Sequence, residues 1–433
     1  MTTTADFLPL ERLAALGAER WAAQRRYVME SSGFYRRLWD GGAVPERLED
    51  LADLPLSDKA MLRESQAAHP PFGDYLAAPE QAVRRLHRTS GTSGQAMNLA
   101  LGAADARQTA EVGGRAQRAA GLGPGHRVVH CLNYQLWMGG VSDHLTLEET
   151  GATVIPFGVG SSELLVRTIR ELGVTAISCT PSYPAVLEQV IAEHFPDLAP
   201  RDLGLELGLF GGEAGLDNAS FRARLEETWG FKARNANYGL SDVFCNFASQ
   251  CAHDTDLHFL ALDVLHPEVI EPESGQVLPW RAGSQGELVL THLARECQPL
   301  VRFRTGDIVA LSATGPCACG RTAPRFRVIG RSDDMVTVRG LNVFPTAVAA
   351  VVNTFPELSG EYRIVLAGPG PYDRLPLEAE LAEGVAPSQA LAERLAAAIR
   401  EHIRVTAQVT LTPPRSLPRS AGKTRRVVRK EVP

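Results

Sequence analysis

Between about residue 127 and residue 213 short apolar runs alternate with helical patterns, and this alternation constrains the fold most strongly. The runs read RVVHCL, GATVIPFG, VTAISCTPSY and LELGLFGGE, and they are separated by amphipathic stretches such as SSELLVRTIRELG and YPAVLEQVIAEHF. Strands that alternate with helices form a largely parallel sheet whose faces the helices cover. The sequence therefore predicts an α/β fold.

The flanking regions predict further structure around this sheet. The first eighty residues (1–80) have helical periodicity and form a helical lead-in, whereas residues from about 250 to 330 read as strands without helices, a β-rich subdomain. After GRSDD come two strand-like runs and a long helix with Leu391, Leu395, Ile399 and Ile403 along one stripe. We expect an N-terminal domain over 1–332 and a small α+β C-terminal domain over 333–433.

Composition narrows the class of partner. A chain of 433 residues with a net charge of −6 has no strong electrostatic reason to bind nucleic acid or an anionic membrane, so a small soluble substrate is favoured. The sequence has no stretch that resembles a secretory signal or a membrane span, and its seven cysteines are too scattered for a disulfide framework. We expect a cytoplasmic location.

The segment RTSGTSGQ, residues 88–95, has the composition of a phosphate-binding loop. Its glycines allow backbone amides to point inward, and its hydroxyl groups add donors. Plain surface loops share this composition, so the segment needs support from its context. Three rival phosphate or nucleophile motifs fail, because Leu417, His126 and Gln95 stand where a Walker loop, a dinucleotide fingerprint and a hydrolase elbow each require glycine.

Five further motifs follow this loop in a fixed order. They are FGGE at 210–213, NYGLSD at 237–242, RFRTGD at 302–307, GRSDDMVTVRGLNVFP at 330–345 and PRSAGKTRR at 418–426. The ordered set resembles the adenylate-forming superfamily, and within it the phenylacetate–CoA ligase-like branch, over nearly the whole chain. The resemblance implies a large N-terminal domain, a small mobile C-terminal domain, and activation of a carboxylic acid by ATP.

The resemblance also assigns the nucleotide site. It implies that the loop grips the β- and γ-phosphates and that the adenine lies among residues of the FGGE and NYGLSD motifs. Asp307 matches the carboxylate that accepts hydrogen bonds from the ribose hydroxyls, and Arg331 matches an arginine on the ribose or phosphate. The remaining implied ATP and AMP ligands are Thr89, Ser90, Gly91, Thr92, Ser93, Gly94, Gly211, Gly212, Glu213, Asn237 and Tyr238.

The resemblance also implies a catalytic lysine, a Mg²⁺ ligand and a hinge between the two domains. Lys423 stabilises the charge that develops when pyrophosphate departs, and Asp242 binds Mg²⁺. The chain departs from the family pattern at Asp242, where glutamate is usual, and at Gln95, where many relatives carry lysine. Asp333 and Asp334 match the hinge at which the C-terminal domain turns, which would bring residues 338–342 to the site for thioester formation.

The acyl pocket and the acceptor are less constrained. Tyr134, Trp137 and Gly139 align with the family's acyl-pocket region, and Tyr183 is another wall residue, although core packing explains such residues nearly as well. The resemblance favours an aryl or arylacetic acid and coenzyme A as acceptor. An amine or a carrier protein as acceptor, and a non-catalytic nucleotide-binding regulator, stay open as alternatives, as does a homodimer.

Four residues suggest a structural zinc site. Cys317 and Cys319 form a CxC pair, and Cys251 and His258 lie upstream, a Cys₃His set that suits Zn²⁺. His253 is a rival ligand. The alternative is buried cysteines and exposed histidines without a metal, although some relatives in the branch carry a similar cluster.

Overall fold

The computed structural model describes residues 5–89, 96–213, 216–339, 341–368, 372–418 and 426–430. It divides into two compact units, which are described separately. The second unit contains Gly212–Arg224, Gly306–Ile308 and Val328–Pro433, and the first contains the rest of the chain. The predicted boundary between 332 and 333 stays a prediction.

The first unit begins with three α-helices, as the lead-in predicted: α1 Leu10–Ser31, α2 Gly33–Leu38 and α3 Lys59–Ala68. The side chain of Asp58 caps α3, because one of its carboxylate oxygens accepts hydrogen bonds from the amides of Ala60 and Met61, each at 2.9 Å. Helix α1 buries Trp21 and Val28 completely. The lead-in is therefore packed structure with its own buried side chains.

A backbone connection ties this lead-in to a distant strand. Ser57 forms a parallel bridge with Phe303, its amide donates to the Arg302 carbonyl at 3.0 Å, and its carbonyl accepts from Arg304 at 2.8 Å. Beside it the Arg302 guanidinium donates to the Leu54 carbonyl and pairs with Glu268. Both charged groups are buried, so the pair needs the lead-in to complete its hydrogen bonds.

The predicted parallel strands are present. After a hairpin of β1 Arg85–Arg88 and β2 Asn98–Leu101 come β3 Arg127–His130, β4 Thr153–Pro156, β5 Ala176–Cys179, β6 Leu207–Gly211 and β7 Lys232–Leu240. Parallel pairing gives the order β7-β6-β5-β3-β4. Every residue of β5 and β6 is buried, as expected for strands covered on both faces. The intervening helices are α4 Ala103–Ala120, α5 Met138–Glu148, α6 Ser162–Glu171, α7 Tyr183–His194 and α8 Ala219–Trp229.

The strands of the β-rich region extend this same sheet. They are β8 Phe244–Ser249, β9 Leu257–Phe259, β10 Leu265–Ile270, β11 Val277–Leu278, β12 Gln285–His292, β13 Phe303–Ala313 and β14 Arg325–Arg331. Strand β8 pairs antiparallel with β7, and among the described residues the sheet has twelve strands in the order β11-β10-β12-β13-β14-β9-β8-β7-β6-β5-β3-β4. The pairing of β7 with β8 thus joins the parallel part of the sheet to the antiparallel part.

The second unit contains a four-stranded sheet in the order β19-β18-β17-β20. Its elements are the hairpin β15 Val336–Val338 and β16 Leu341–Val343, helix α9 Pro345–Val352, strands β17 Leu358–Ala367 and β18 Leu375–Leu381, helix α10 Gln389–Ile403, and strands β19 Ala407–Thr412 and β20 Val427–Lys430. Helix α10 buries Leu391, Leu395 and Ile399, and Ile403 packs partly buried against the same core, as the stripe predicted. No helix among the described residues is long and apolar enough to cross a membrane.

Candidate active site

The hydroxyl- and glycine-rich segment begins at the end of β1. Thr89 is buried, and it forms two hydrogen bonds of 3.0 Å with the backbone of Met97, one from its amide and one to its hydroxyl. These bonds close the base of the β1–β2 hairpin, whose tip is the predicted phosphate loop. The loop ligands Ser90, Gly91, Thr92, Ser93 and Gly94 lie outside the described residues.

The carboxyl end of β6 meets β7 at two predicted nucleotide ligands. Gly211 pairs with Asn237, and a Cβ on Gly211 would lie 2.5 Å from the Asn237 Cβ, so the contact requires glycine. Gly212 has a φ of +81°, a conformation that glycine adopts without strain, and Glu213 follows it. Ligands of open α/β sheets bind at such carboxyl ends. The FGGE motif therefore ends at the edge where a ligand is expected.

Asp143 on α5 is a buried carboxyl group that the sequence analysis did not identify. The Asn237 amide donates to its Oδ2 at 2.5 Å. Burial raises the pKa of Asp143 to about 7, against the opposing effect of hydrogen bonds from Cys245 and Asn237. A carboxyl group with this pKa changes its charge near neutral pH. No pattern in the sequence distinguishes it from the other polar residues of α5.

Tyr238 lies in an aromatic group of the first unit. Its ring packs edge-on against Phe247, with ring centroids 5.2 Å apart, and against Phe326 at 5.3 Å. Edge-to-face contacts of this kind fix the orientation of a ring. A rigid, partly exposed aromatic face suits the predicted role beside adenine.

Asp242, the predicted Mg²⁺ ligand, is paired with a lysine from the lead-in. The ammonium Nζ of Lys59 lies 2.9 Å from Asp242 Oδ2. The Asp242 side chain is only 5% exposed and its Oδ1 has no hydrogen-bond partner among the described residues, whereas the Lys59 side chain is 36% exposed. Hard cations such as Mg²⁺ prefer oxygen ligands, so the Asp242 carboxylate, whose Oδ1 lacks a partner among the described residues, suits Mg²⁺ binding.

In the second unit the structure brings together the two residues predicted to hold the ribose. Arg331 Nη1 lies 2.7 Å from Asp307 Oδ1. The same guanidinium donates to both carboxylate oxygens of Asp333, at 2.8 and 3.0 Å. Although burial works in the opposite direction, Asp307, Asp333 and Asp334 raise the pKa of Arg331. Arg331 thus links the predicted ribose carboxylate, Asp307, to the predicted hinge residue Asp333. The predicted catalytic residue Lys423 lies outside the described residues.

Three of the four predicted pocket residues lie close together in sequence, Tyr134 and Trp137 between β3 and α5 and Gly139 in the first turn of α5. Tyr134 packs edge-on against His130, and the Gly139 carbonyl bonds to His130 Nε2 at 2.9 Å, so this histidine joins two of them. Trp137 is the residue that precedes α5. Burial lowers the pKa of His130 to about 4, so its ring is neutral at pH 7. The fourth residue, Tyr183, starts α7, and its hydroxyl bonds to Ser162 at 3.0 Å.

The four predicted zinc ligands form one cluster in the first unit. The ligand atoms of Cys251, His258, Cys317 and Cys319 all lie within 4.8 Å of one another. Cys251 Sγ is 3.8 Å from Cys317 Sγ, and Cys319 Sγ is 3.9 Å from His258 Nε2. Tetrahedral zinc with bonds near 2.3 Å to sulfur separates its ligands by about this much, so the four residues fit the metal. The rival His253 is outside this cluster.

Comparison with known proteins assigns the family. The chain is 37% identical over 455 aligned residues to the phenylacetate–coenzyme A ligase of Thermus thermophilus, an alignment that covers 98% of each protein. It is 32% identical to the enzyme of that name from Escherichia coli, with 96% of this chain and 95% of that protein covered. The chain belongs to the phenylacetate–coenzyme A ligase family. Residues 340–430 also match the model of the AMP-binding enzyme C-terminal domain.

A solved structure agrees with this membership in the phenylacetate–coenzyme A ligase family. A 2-hydroxyisobutyryl-CoA ligase in complex with its acyl adenylate superimposes with a TM-score of 0.88 at 31% sequence identity, covering 98% of this chain and 91% of that one. The predicted superfamily, branch and fold class are thereby confirmed. The separate roles of the site residues stay predictions.

For this member of the phenylacetate–coenzyme A ligase family, sequence reasoning missed Lys59 as well as Asp143. The lead-in was assigned no functional residue. One signal was available, because only four of the 44 Lys and Arg residues are lysines, at positions 59, 232, 423 and 430. Because this chain uses arginine for nearly all of its basic residues, a lysine is a candidate for a role that needs the compact ammonium group.

Proposed function

We propose that this chain is an acid–thiol ligase that activates a small carboxylic acid with ATP and transfers the acyl group to coenzyme A. The observation that carries the proposal is the 37% identity to a phenylacetate–coenzyme A ligase over 98% of both chains. The ion pair of Arg331 with Asp307 and the paired carboxylate of Asp242 supply groups that suit a nucleotide and its metal.

In the first half-reaction a carboxylate oxygen of the acid attacks the α-phosphorus of ATP, and the bond to pyrophosphate breaks. Asp307 accepts hydrogen bonds from the ribose hydroxyls, Tyr238 packs beside the adenine, and Lys423 stabilises the charge on the phosphate oxygens. Asp242 would hold Mg²⁺, which would supply charge neutralisation at the phosphates. The products are the acyl adenylate and pyrophosphate.

In the second half-reaction the thiol of coenzyme A loses its proton and its sulfur attacks the acyl carbonyl carbon. The bond to the AMP oxygen breaks, and the products are the acyl-CoA, AMP and the thiol proton, which is released to solvent. We infer that Asp333 and Asp334 form the hinge between the two half-reactions and that the domain boundary lies between 332 and 333. The hydrogen bonds between Arg331 and Asp333 would then have to rearrange when the hinge turns.

The acid is proposed to be small and aromatic. The phenylacetate–coenzyme A ligases of three bacteria, to which this chain is 32 to 37% identical, support this class. Tyr134, Trp137, Gly139 and Tyr183 would line the acyl pocket, with Tyr134 held through His130 and Tyr183 through Ser162. An apolar pocket with few polar groups suits an aryl ring.

We also propose that Cys251, His258, Cys317 and Cys319 hold one Zn²⁺. The donor set and the spacing of the four ligand atoms support this. Burial lowers the pKa of His258 to about 4, which leaves its imidazole neutral and able to ligate. Zn²⁺ there would be structural, since three thiolates and one imidazole fill its four positions and leave none for substrate.

None of the seven cysteines, each in the described part of the chain, forms a disulfide, which supports the predicted cytoplasmic location. The predicted homodimer is tested by the molar mass in solution.

The test is ATP–pyrophosphate exchange measured over a panel of aryl and aliphatic acids, followed by coenzyme A addition and mass analysis of the products. We expect exchange that depends on an aryl or arylacetic acid and an acyl-CoA product. Exchange without thioester would replace coenzyme A by an amine or a carrier protein. No exchange with any acid would make the chain a nucleotide binder without catalysis.

A further inference from the structure

Lys59 has the geometry of a ligand-binding cation. Its ammonium contacts the buried Asp242 carboxylate on one side, yet more than a third of its side chain faces solvent. An ammonium has three donors, and Asp242 is its one hydrogen-bond partner in the described part of the chain. Two N–H donors of the Lys59 ammonium are therefore available for a ligand. Asp242 Oδ1, on the neighbouring carboxylate, also lacks a hydrogen-bond partner among the described residues.

Helix α3 brings this cation towards the hairpin that carries the phosphate loop. Gln66 lies seven residues after Lys59, so the two side chains share one face of the helix. Gln66 accepts from the Asn98 amide at 3.0 Å and donates to the Asn98 carbonyl at 2.7 Å. Asn98 is the first residue of β2, the strand into which the loop runs. The face of α3 that carries Lys59 is thus hydrogen-bonded, through Gln66, to the first residue of β2.

The loop itself is short of positive charge. In the segment 88–95 only Arg88, at its first position, is basic, and Gln95 stands where many related chains have lysine. The polyphosphate of ATP carries several negative charges, which Asp242 on its own would repel. The Lys59 ammonium, 2.9 Å from Asp242 Oδ2, offsets this repulsion.

We propose that Lys59 is a polyphosphate-binding residue that holds the β- or γ-phosphate of ATP beside Asp242. The inference rests on the proposed function, because it assigns a residue to the same adenylation site. Lysine suits the role better than arginine, since its compact ammonium can contact a carboxylate and a phosphate oxygen simultaneously. The lead-in is then part of the nucleotide site.

The test compares ATP with AMP, which lacks the β- and γ-phosphates. Dissociation constants for Mg·ATP and for AMP are measured by calorimetry on the full chain and on the variants Lys59→Ala, Lys59→Gln and Lys59→Arg. We expect the Lys59→Ala and Lys59→Gln variants to bind Mg·ATP roughly 10- to 100-fold more weakly, the effect of losing one charge-assisted hydrogen bond. AMP affinity should stay within about twofold, and the Lys59→Arg variant should recover part of the loss.

Lys232→Ala is the matched control, because Lys232 is exposed at the start of β7. It should change neither affinity. Equal loss of ATP and AMP binding in the Lys59→Gln variant, which keeps a donor for Asp242, would show a structural role and overturn the proposal. Unchanged ATP binding would overturn it too. Because binding is the readout, an inactive wild type would refute the proposed ligase reaction while leaving the role of Lys59 measurable.

Discussion

At the scale of single residues, the site depends on carboxylates whose surroundings differ sharply. Asp307 is paired with Arg331, Asp242 is paired with Lys59, and Asp143 is fully buried beside Asn237. Asp307 and Asp242 each have a cation beside them, whereas burial without a cation favours the neutral acid at Asp143. The same functional group can therefore act as an ionic ligand in one place and as a pH-sensitive group in another.

Asp307→Ala should lower kcat/KM for ATP in pyrophosphate exchange by roughly 10- to 100-fold, because hydrogen bonds from the ribose to a charged group are lost. The matched control is Asp373→Ala, since the Asp373 side chain is 90% exposed. Steady-state exchange kinetics with varied ATP check the effect. A kcat/KM that matches the wild type would remove Asp307 from the nucleotide site.

Asp143 should make stability depend on pH. Burial raises its pKa from 3.8 to about 7, so between these pH values the folded chain keeps a proton that the unfolded chain has released. The folded state then binds more protons, and stability must fall as the pH rises. Relative to Asp143→Asn, the wild type should lose roughly 3 kcal/mol of unfolding free energy between pH 5 and pH 8. Urea unfolding at both pH values measures this, and a pH-independent difference contradicts it.

At the scale of elements, the sequence predicted those that its own local pattern encodes. The apolar runs around Val129, Ile177 and Leu209 became β3, β5 and β6 because short apolar runs between amphipathic helices fit a covered parallel sheet. The stripe on α10 was confirmed for the same reason. The pairing of Lys59 with Asp242 joins residues far apart in the chain, and no local pattern carries that information.

The cluster of Cys251, His258, Cys317 and Cys319 combines a feature that the local sequence predicts with one that depends on tertiary pairing. Its residues could be predicted from the chemistry of the CxC pair, and the structure then placed the ligand atoms within 4.8 Å of one another. The sequence predicted His258 as the ligand and kept His253 as a rival, because the two histidines are close in sequence. The pairing of β9 with β14 then places His258 beside Arg325, and His258 is the histidine of the cluster.

Chain purified without chelator should contain about one zinc per molecule, measured by elemental mass spectrometry. Cys317→Ser should lose the metal and lower the melting temperature, since binding energy at a structural site contributes to folding. The control is His253→Ala, which changes an exposed neighbour outside the cluster. Metal content well below one per chain in the wild type would exclude the site.

At the scale of the whole molecule, the proposed reaction needs residues that are distant in sequence. The lead-in contributes Lys59, the parallel part of the sheet ends at Gly211, and the second unit holds Asp307 with Arg331. The overall architecture could be predicted from the order of the motifs. The continuity of the sheet through β7 and β8 could not, because strand order depends on tertiary pairing.

Lys423→Ala should separate the two half-reactions. Formation of the acyl adenylate should slow by about two to three decades, the usual effect of removing one group that stabilises a developing oxyanion. Conversion of a supplied acyl adenylate and coenzyme A to thioester should proceed at the wild-type rate. Rapid-quench measurement of each step tests this, with Lys430→Ala as the control. Equal loss in both steps would contradict the assignment.

The backbone bridge between Ser57 and Phe303 also has a consequence for folding during synthesis on the ribosome. These residues are separated by about 250 positions, which a ribosome covers in roughly 10–50 s. During that interval the helices before residue 57 exist without the strand that completes their backbone pairing, and Arg302 and Glu268 have not yet been made. We expect the nascent N-terminal segment to be the part of this protein that most depends on chaperones, and to become resistant to proteases only late in synthesis.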